Sequence, residues 1–297
     1  MLYETENRSQ PAQRGLSART KEDPRPRKQR RGDGVRSKHL STQSPMIFRF
    51  RKPSSALVPK AAASVPVGLR LYVVGDIHGR LDLLDSLAYK VREDLRRGHF
   101  DEAVTIFLGD YIDRGPNSAG VTELLSAGDF PSPIVALRGN HEAMLLSFLD
   151  DESVLGDWRR YGGLETLVSY GVDVKAVMRG QGYDAALMSF RRNLPSQHLA
   201  FYKQTRLSWS VGDYFFCHAG VRPGVPLVHQ SESDLLWIRH EFNFYRGLFE
   251  KIVVHGHTPV QEPEVLPNRI GIDTGAYATG LLTCLVLERE SRRFVTT

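Results

Sequence analysis

Five short blocks set metal-binding side chains beside glycine: Gly75-Asp76-Ile77-His78-Gly79, Gly109-Asp110-Tyr111-Ile112-Asp113-Arg114-Gly115, Gly139-Asn140-His141-Glu142, His218-Ala219-Gly220 and Gly256-His257-Thr258. Their donors are carboxylate, imidazole and amide, and no block holds a cysteine. That mixture suits a hard or borderline divalent ion rather than a soft one.

Secondary structure has to deliver these side chains to one place. Each of the first three blocks follows an apolar, β-branched run: Leu71-Tyr72-Val73-Val74, Val104-Thr105-Ile106-Phe107-Leu108 and Ile134-Val135-Ala136-Leu137. The donors therefore stand at the C-terminal ends of strands, which in an open α/β sheet converge on one crevice. Strands are expected at about 69–76, 102–109 and 133–138, each leading to a helix, at about 79–97, 117–126 and 141–150. Leu81, Leu84, Leu87, Ala88 and Val91 recur at helical spacing in the first of these helices, and Asn117 or Ser118 offers a cap for the second. Such alternation predicts βαβ units with parallel strands. Residues 151–206 read as a helical insertion walling one side of the cleft, with helices around Trp158–Tyr170, Tyr183–Asn193 and Gln197–Lys203. From 207 the pattern turns to β. Gly212-Asp213 marks a hairpin between Ser208–Val211 and Tyr214–Cys217, and further strands are expected at 251–256, 269–273 and 280–288.

At 297 residues the chain can bury a core that needs no staples. Cys217 and Cys284 make no disulfide framework, which fits a reducing, cytoplasmic setting. No apolar run is long enough to cross a bilayer, and Arg49, Arg51, Lys52 and Pro53 interrupt any secretory signal after Met46. The net charge of +5 hides an asymmetry: residues 1–60 carry 15 Lys/Arg against 5 Asp/Glu, the remainder 24 against 29. Residues 1–66 are expected to be a basic tail too poor in apolar residues to fold alone. A solvated extension is favoured over contact with nucleic acid or an anionic membrane surface. Met46-Ile47-Phe48-Arg49-Phe50 would also make a sensible start, with residues 1–45 an upstream extension of the reading frame.

Together and in this order, the blocks resemble the phosphoprotein phosphatase family of metallophosphoesterases, in its bacterial and phage-type Ser/Thr form, over about residues 70–288. The resemblance implies an α/β fold, a sandwich of β-sheets flanked by helices and carrying the helical insertion. It makes residues 67–297 a calcineurin-like metallophosphoesterase domain. It also implies two divalent ions, manganese being the expected activator and iron or zinc fitting the same donors. Asp76 and His78 would bind one ion, Asn140, His218 and His257 the other, and Asp110 would bridge both. Such a pair lowers the pKa of a shared water, which attacks phosphorus in line and leaves no phosphoenzyme. His141 matches the general acid that protonates the departing oxygen, and Asp113 the carboxylate that orients it. Arg114 matches a clamp on the phosphate oxygens; Arg239, in the looser match Trp237-Ile238-Arg239, matches a second.

The expected activity is metal-dependent hydrolysis of phosphomonoesters, on a phosphoprotein or phosphopeptide. The alternative substrate is a diadenosine polyphosphate or another small phosphoester. The resemblance tells against it, because such hydrolases typically put a small residue where this chain keeps Asp113, and because Glu142 after His141 is the protein-phosphatase form. A non-catalytic, metal-binding regulatory protein is the third reading, opposed by the completeness of the ligand set. The Ser-Ala-Pro-Asn-Tyr segment of the eukaryotic enzymes is absent, so their regulatory subunits are not expected. Outside the blocks, His39, His99, His198, His229 and His240 read as surface residues, His255 as at most a support for the ligands, and Asp273-Thr274-Gly275 as cleft structure. Cys217 reads as a small buried hydrophobe.

Overall fold

The computed structural model describes residues 63–297, so the expectations for the tail and for Met46 lie outside the described residues, apart from 63–66. The described strands are β1 (Leu69–Val74), β2 (Glu102–Phe107), β3 (Ile134–Ala136), β4 (Ser208–Val211), β5 (Tyr214–Cys217), β6 (Ile252–His255), β7 (Glu264–Val265), β8 (Arg269–Gly271), β9 (Thr283–Glu288) and β10 (Ser291–Thr296). The described helices are α1 (Leu81–Arg97), α2 (Ser118–Ala127), α3 (Asn140–Asp150), α4 (Leu155–Trp158), α5 (Gly163–Ser169), α6 (Lys175–Met178), α7 (Tyr183–Asn193), α8 (Ser196–Gln204), α9 (Glu232–Trp237), α10 (His240–Asn243) and α11 (Ala276–Thr279).

The strands form two five-stranded sheets, ordered β10-β9-β1-β2-β3 and β4-β5-β6-β8-β7. β1, β2 and β3 run parallel, as do β5, β6 and β8. The period of two in a strand sorts the apolar side chains into separate layers. Leu71, Val73, Ile106 and Leu108 form one buried cluster with Phe216, Val254 and Ile270 of the other sheet. Their neighbours Tyr72, Val74 and Phe107 pack with Leu84 and Leu87 of α1, Leu125 of α2 and Phe148 of α3. On the second sheet Phe215, Cys217 and Val253 pack with Leu235 of α9 and Phe242 of α10. The result is helix, sheet, sheet, helix, which explains why the core strands read as continuous apolar runs rather than alternating ones. Each such side chain contributes about 1.5–3 kcal/mol by leaving water.

Most expected elements are present, with several differences. The helix expected around Trp158–Tyr170 is broken at Gly162, whose φ is 104°, into α4 ending at Trp158 and α5 (Gly163–Ser169), and the short β7 was not expected. The first three strands stop at Val74, Phe107 and Ala136, about two residues earlier than read, because the following glycine-rich segments turn sharply into the blocks. β10 was not expected. Its sequence Ser291-Arg292-Arg293-Phe294-Val295-Thr296 is mostly exposed and lacks an apolar face, and its pairing to β9 across a tight turn is what makes it a strand. His198 is not a surface residue: it is buried, between the Tyr170 hydroxyl at 2.8 Å and Glu123 Oε2 at 2.7 Å. Asn117 does cap α2, accepting from Gly120 N at 2.9 Å. Residues 63–66 already pack into the domain: Ala63 and Val65 are buried, and Val65 N donates to Arg289 O. No described helix is long and apolar enough to cross a membrane.

Candidate metal centre

All of the blocks leave their sheets at the same end. The first follows β1, the second β2, and the third begins α3 after β3; His218 follows β5 and His257 follows β6. Reaching a common point forces the chain into a costly conformation. His78, Asp110, Asp113, Arg114 and His257 all have positive φ, between 46° and 74°, and the remaining described non-glycine case is Arg289 in the β9–β10 turn. Residues held in this region cost about 1–3 kcal/mol each and concentrate where a site dictates the backbone. Two glycines are required by proximity. A Cβ on Gly139 would stand 2.0 Å from Asp110 Oδ1, and one on Gly256 would stand 2.0 Å from Asp76 Oδ1.

Acceptor atoms converge where these turns meet. His218 Nδ1 donates to Leu108 O at 3.0 Å, which leaves its Nε2 as a lone pair. That Nε2 faces Asn140 Oδ1 at 2.9 Å, His257 Nδ1 at 3.1 Å and Asp110 Oδ2 at 3.4 Å. His78 repeats the design: Nδ1 donates to Ile112 O at 2.8 Å and Nε2 points at Asp110 Oδ2, 3.6 Å away. Burial pushes the pKa of His78 down to about 3 and lowers that of His218, so both rings are neutral at pH 7. Asp76 accepts from His257 N at 3.0 Å through Oδ2, while its buried Oδ1 has no partner, nor has His257 Nε2. Burial, then the charges of Asp273 and Asp110, drive the Asp76 pKa well up. Lone pairs aimed at lone pairs, beside clustered buried carboxylates, describe a place that wants cations. Two groups of three could each hold one, His78–Asp110–His141 and Asp110–His218–His257, with Asp110 common to both.

His141 stands at the edge of this cluster. Its Nδ1 lies 2.6 Å from Asp113 Oδ2, and its Nε2 lies 3.7 Å from Asp110 Oδ2. Burial works to lower its pKa, but Asp110 and the hydrogen-bonded Asp113 outweigh that and raise it, so the ring tends to keep its second proton. The Arg114 guanidinium reaches in from the second block, with Nη1 3.1 Å from His78 Nε2 and Nη2 3.3 Å from His141 Nε2. It lies over the Tyr277 ring at 4.7 Å. Arg239 is exposed at the start of α10 and joins none of these contacts; burial is the main reason the pKa values of His218 and His257 are lowered, and the Arg239 charge adds to it in the same direction. His255 is buried but turned away, its ring edge-on to Phe242 at 4.9 Å. Burial drives the pKa of the Cys217 thiol far up, so it stays a buried, protonated thiol.

Several positioning residues were invisible in the sequence. Trp158 Nε1 donates to Asp113 Oδ2 at 2.7 Å, and the Thr166 hydroxyl donates to Asp113 Oδ1. Ser118 Oγ and Thr166 Oγ1 accept from Asp113 N at 3.0 and 2.9 Å. The helical insertion therefore fixes the carboxylate that faces His141, besides walling the cleft. Trp158 is fully buried, and a buried indole N–H demands an acceptor, which was the one available hint. Glu142 is equally buried in role: its carboxylate accepts from Asp110 N at 2.9 Å, Tyr111 N at 2.8 Å and Gly139 N at 2.8 Å. It thereby ties the second block to the third. Glu142→Gln replaces one acceptor oxygen with a donor facing backbone N–H groups. It is expected to cost roughly 10–100-fold in metal affinity, the usual effect of disturbing a ligand's support. Titration of the ion-free variant with manganese measures this, and unchanged affinity would show that the loop holds itself.

An asymmetrical bis(5'-nucleosyl)-tetraphosphatase PrpE of Halalkalibacterium halodurans is 26% identical over 234 residues, covering 72% of this chain and 88% of that protein. PrpE proteins of Bacillus cereus and Oceanobacillus iheyensis are 26% and 25% identical, each over 72% of this chain and over 88% and 87% of their own lengths. A solved structure provisionally named a diadenosine tetraphosphatase superposes with a TM-score of 0.54 at 20% identity, covering 81% of this chain and 96% of its own. Residues 69–280 match the calcineurin-like phosphoesterase family, and the chain belongs to it.

Proposed function

We propose that this protein is a metal-dependent hydrolase of dinucleoside polyphosphates. The observation that carries the substrate class is the set of bis(5'-nucleosyl)-tetraphosphatase relatives aligned over 72% of the chain. This favours the alternative weighed from the sequence over its main reading, a Ser/Thr protein phosphatase.

The residues present fit two divalent ions, because Asp76 Oδ1 and His257 Nε2 are buried without a partner, and His218 Nε2 faces the acceptors Asn140 Oδ1 and Asp110 Oδ2 at 2.9 and 3.4 Å. Asp76 and His78 would hold one ion, Asn140, His218 and His257 the other, with Asp110 shared. When bound, the ions supply Lewis acidity, lowering the pKa of a water and stabilising charge on the phosphoryl oxygens. The chain does the rest. Hydrogen bonds from His78 to Ile112 O and from His218 to Leu108 O fix the tautomers that offer Nε2. Arg114 is placed to hold non-bridging phosphate oxygens by its planar fork, and Arg239 adds positive potential at the rim. His141, held by Asp113 through Nδ1, carries a proton on Nε2 for the departing oxygen.

One observation favours the protein-phosphatase reading. An alkoxide needs that proton far more than a nucleotide phosphate does, and the Asp113–His141 pair is fully built. A kinetic panel decides: diadenosine tetraphosphate beside phosphoserine, phosphothreonine and phosphotyrosine peptides, with manganese added. We expect kcat/KM to be highest on diadenosine tetraphosphate, with unequal nucleotide products as the relatives' asymmetrical designation indicates, and a chelator to abolish all turnover. Preference for a phosphopeptide would reverse the assignment, and turnover surviving the chelator would remove the metals from it.

A further inference from the structure

Beside the metal cluster runs a groove of about 520 Å³ whose lining includes Met144, Ser147, Val154, Asp157, Tyr161 and Trp237. Its size lies within the range of small-molecule sites. Two of its aromatic side chains stay partly open to solvent, Tyr161 at 44% and Trp237 at 39%. Single exposed apolar residues are ordinary; these two are distinguished by where they point. The Tyr161 ring lies 6.3 Å from the His141 ring, the Trp237 ring lies 6.4 Å from the His257 ring, and the two lie 6.4 Å from each other. They form a continuous aromatic wall from the phosphate-handling residues into the groove. One rigid element joins the two regions: α3 puts Asn140 and His141 at the cluster and turns Met144 and Ser147 to the groove one and two turns later.

Charge divides the same way. Among the described residues no Lys or Arg lines the groove, whereas the Arg114 guanidinium stands at its inner end, with Nε 3.4 Å from Tyr161 O. A ligand matching this division has an anionic end and a neutral, flat, aromatic end separated by a short spacer. We propose that the groove seats the nucleobase of the substrate on Tyr161 and Trp237, with the attached phosphate at the metal cluster. This rests on the dinucleoside polyphosphate reading, and names the part of that substrate that gives it affinity.

The test compares two inhibitors that differ only by the base, AMP and ribose 5-phosphate, against manganese-dependent hydrolysis of β-glycerophosphate. Stacking of one base on an aromatic side chain tightens binding by about 5- to 150-fold, so AMP should inhibit at least roughly fivefold more tightly than ribose 5-phosphate. Trp237→Ala and Tyr161→Ala should each shrink that ratio towards one, and Trp237→Phe should retain most of it. Trp237→Leu keeps apolar bulk without a ring face, and is expected to lose the ratio where the alanine variant fails to fold. Equal inhibition by AMP and ribose 5-phosphate in the wild type, or a ratio indifferent to Trp237→Ala and Trp237→Leu, would overturn the base subsite. Turnover of diadenosine tetraphosphate with a ratio of one would sink the groove alone, and a high ratio without that turnover would sink the substrate reading alone.

Discussion

Asp110→Asn is expected to abolish nearly all phosphoesterase activity while leaving the fold intact. Among the described residues Asp110 alone belongs to both histidine groups that could hold an ion. Its Oδ2 lies 3.4 Å from His218 Nε2 and 3.6 Å from His78 Nε2, and its Oδ1 accepts from His141 N at 3.2 Å. An amide has nearly the same shape, so the close approach of Gly139 survives the change. What changes is chemistry: one acceptor becomes a donor directed at lone pairs or at a cation, and the negative charge shared by both positions disappears. Disturbing a residue that merely supports a ligand costs about 10–100-fold; removing a shared ligand should cost roughly a thousandfold or more in kcat/KM. Elemental analysis of the purified variant should fall from two ions per chain to one or none. Two retained ions with a rate near wild type would show that Asp110 does not bridge. Circular dichroism and a thermal melt of the ion-free proteins separate this from unfolding: the variant should keep the wild-type spectrum and a cooperative melt.

Much of the architecture was legible because its two signals are local. Runs such as Leu71-Tyr72-Val73-Val74 announce a strand buried on both faces, and donors placed just after several such runs announce a shared crevice. Asp76, His78, Asp110, Asn140, His218 and His257 accordingly come together, although they are drawn from both sheets. Less local features could not be read. β10 is a strand through its partner rather than its own composition. His198 is buried because Tyr170 and Glu123 satisfy both ring nitrogens, and those partners lie 28 and 75 residues away. The support for Asp113 comes from Trp158 and Thr166, whose spacing in the chain carries no signal of a carboxylate 45 and 53 residues earlier. Motifs name the residues whose side chains meet in the cluster. The residues that hold them in place are specified by packing.

That division explains why strain gathers here. Five site residues hold positive φ, a conformation that side chains other than glycine avoid. Glu142 binds three backbone N–H groups of the second and third blocks, and Gly162 O accepts from Arg114 N at 3.2 Å. The surrounding bonds over-determine turns that would otherwise relax, so donors from separate strands stay within a few ångströms of one another before any ion arrives.

His141→Asn should leave the metal content close to two ions per chain and still remove most of the activity on esters with poor leaving groups. Geometry alone permits another role, since His141 Nε2 falls into one group with His78 and Asp110. Its other nitrogen, however, is committed to Asp113 at 2.6 Å, and Asp113 is in turn held by Trp158 and Thr166. Such a chain of bonds orients a proton donor. Loss of a positioned general acid costs roughly two to four orders of magnitude, and that cost should appear in full on phosphoserine peptides, whose leaving oxygen is strongly basic. With p-nitrophenyl phosphate the leaving group is a weak base that hardly needs a proton, so the loss should be much smaller. Diadenosine tetraphosphate should fall near the second case, because a nucleotide phosphate also departs readily. Asp113→Asn should follow the same leaving-group order with a milder loss, since the amide still orients the ring but no longer charges it. An equal loss on every substrate, together with fewer than two ions bound, would make His141 a ligand. In that event the proton would have to come from solvent, because the buried His255 ring is turned towards Phe242 and away from the cleft.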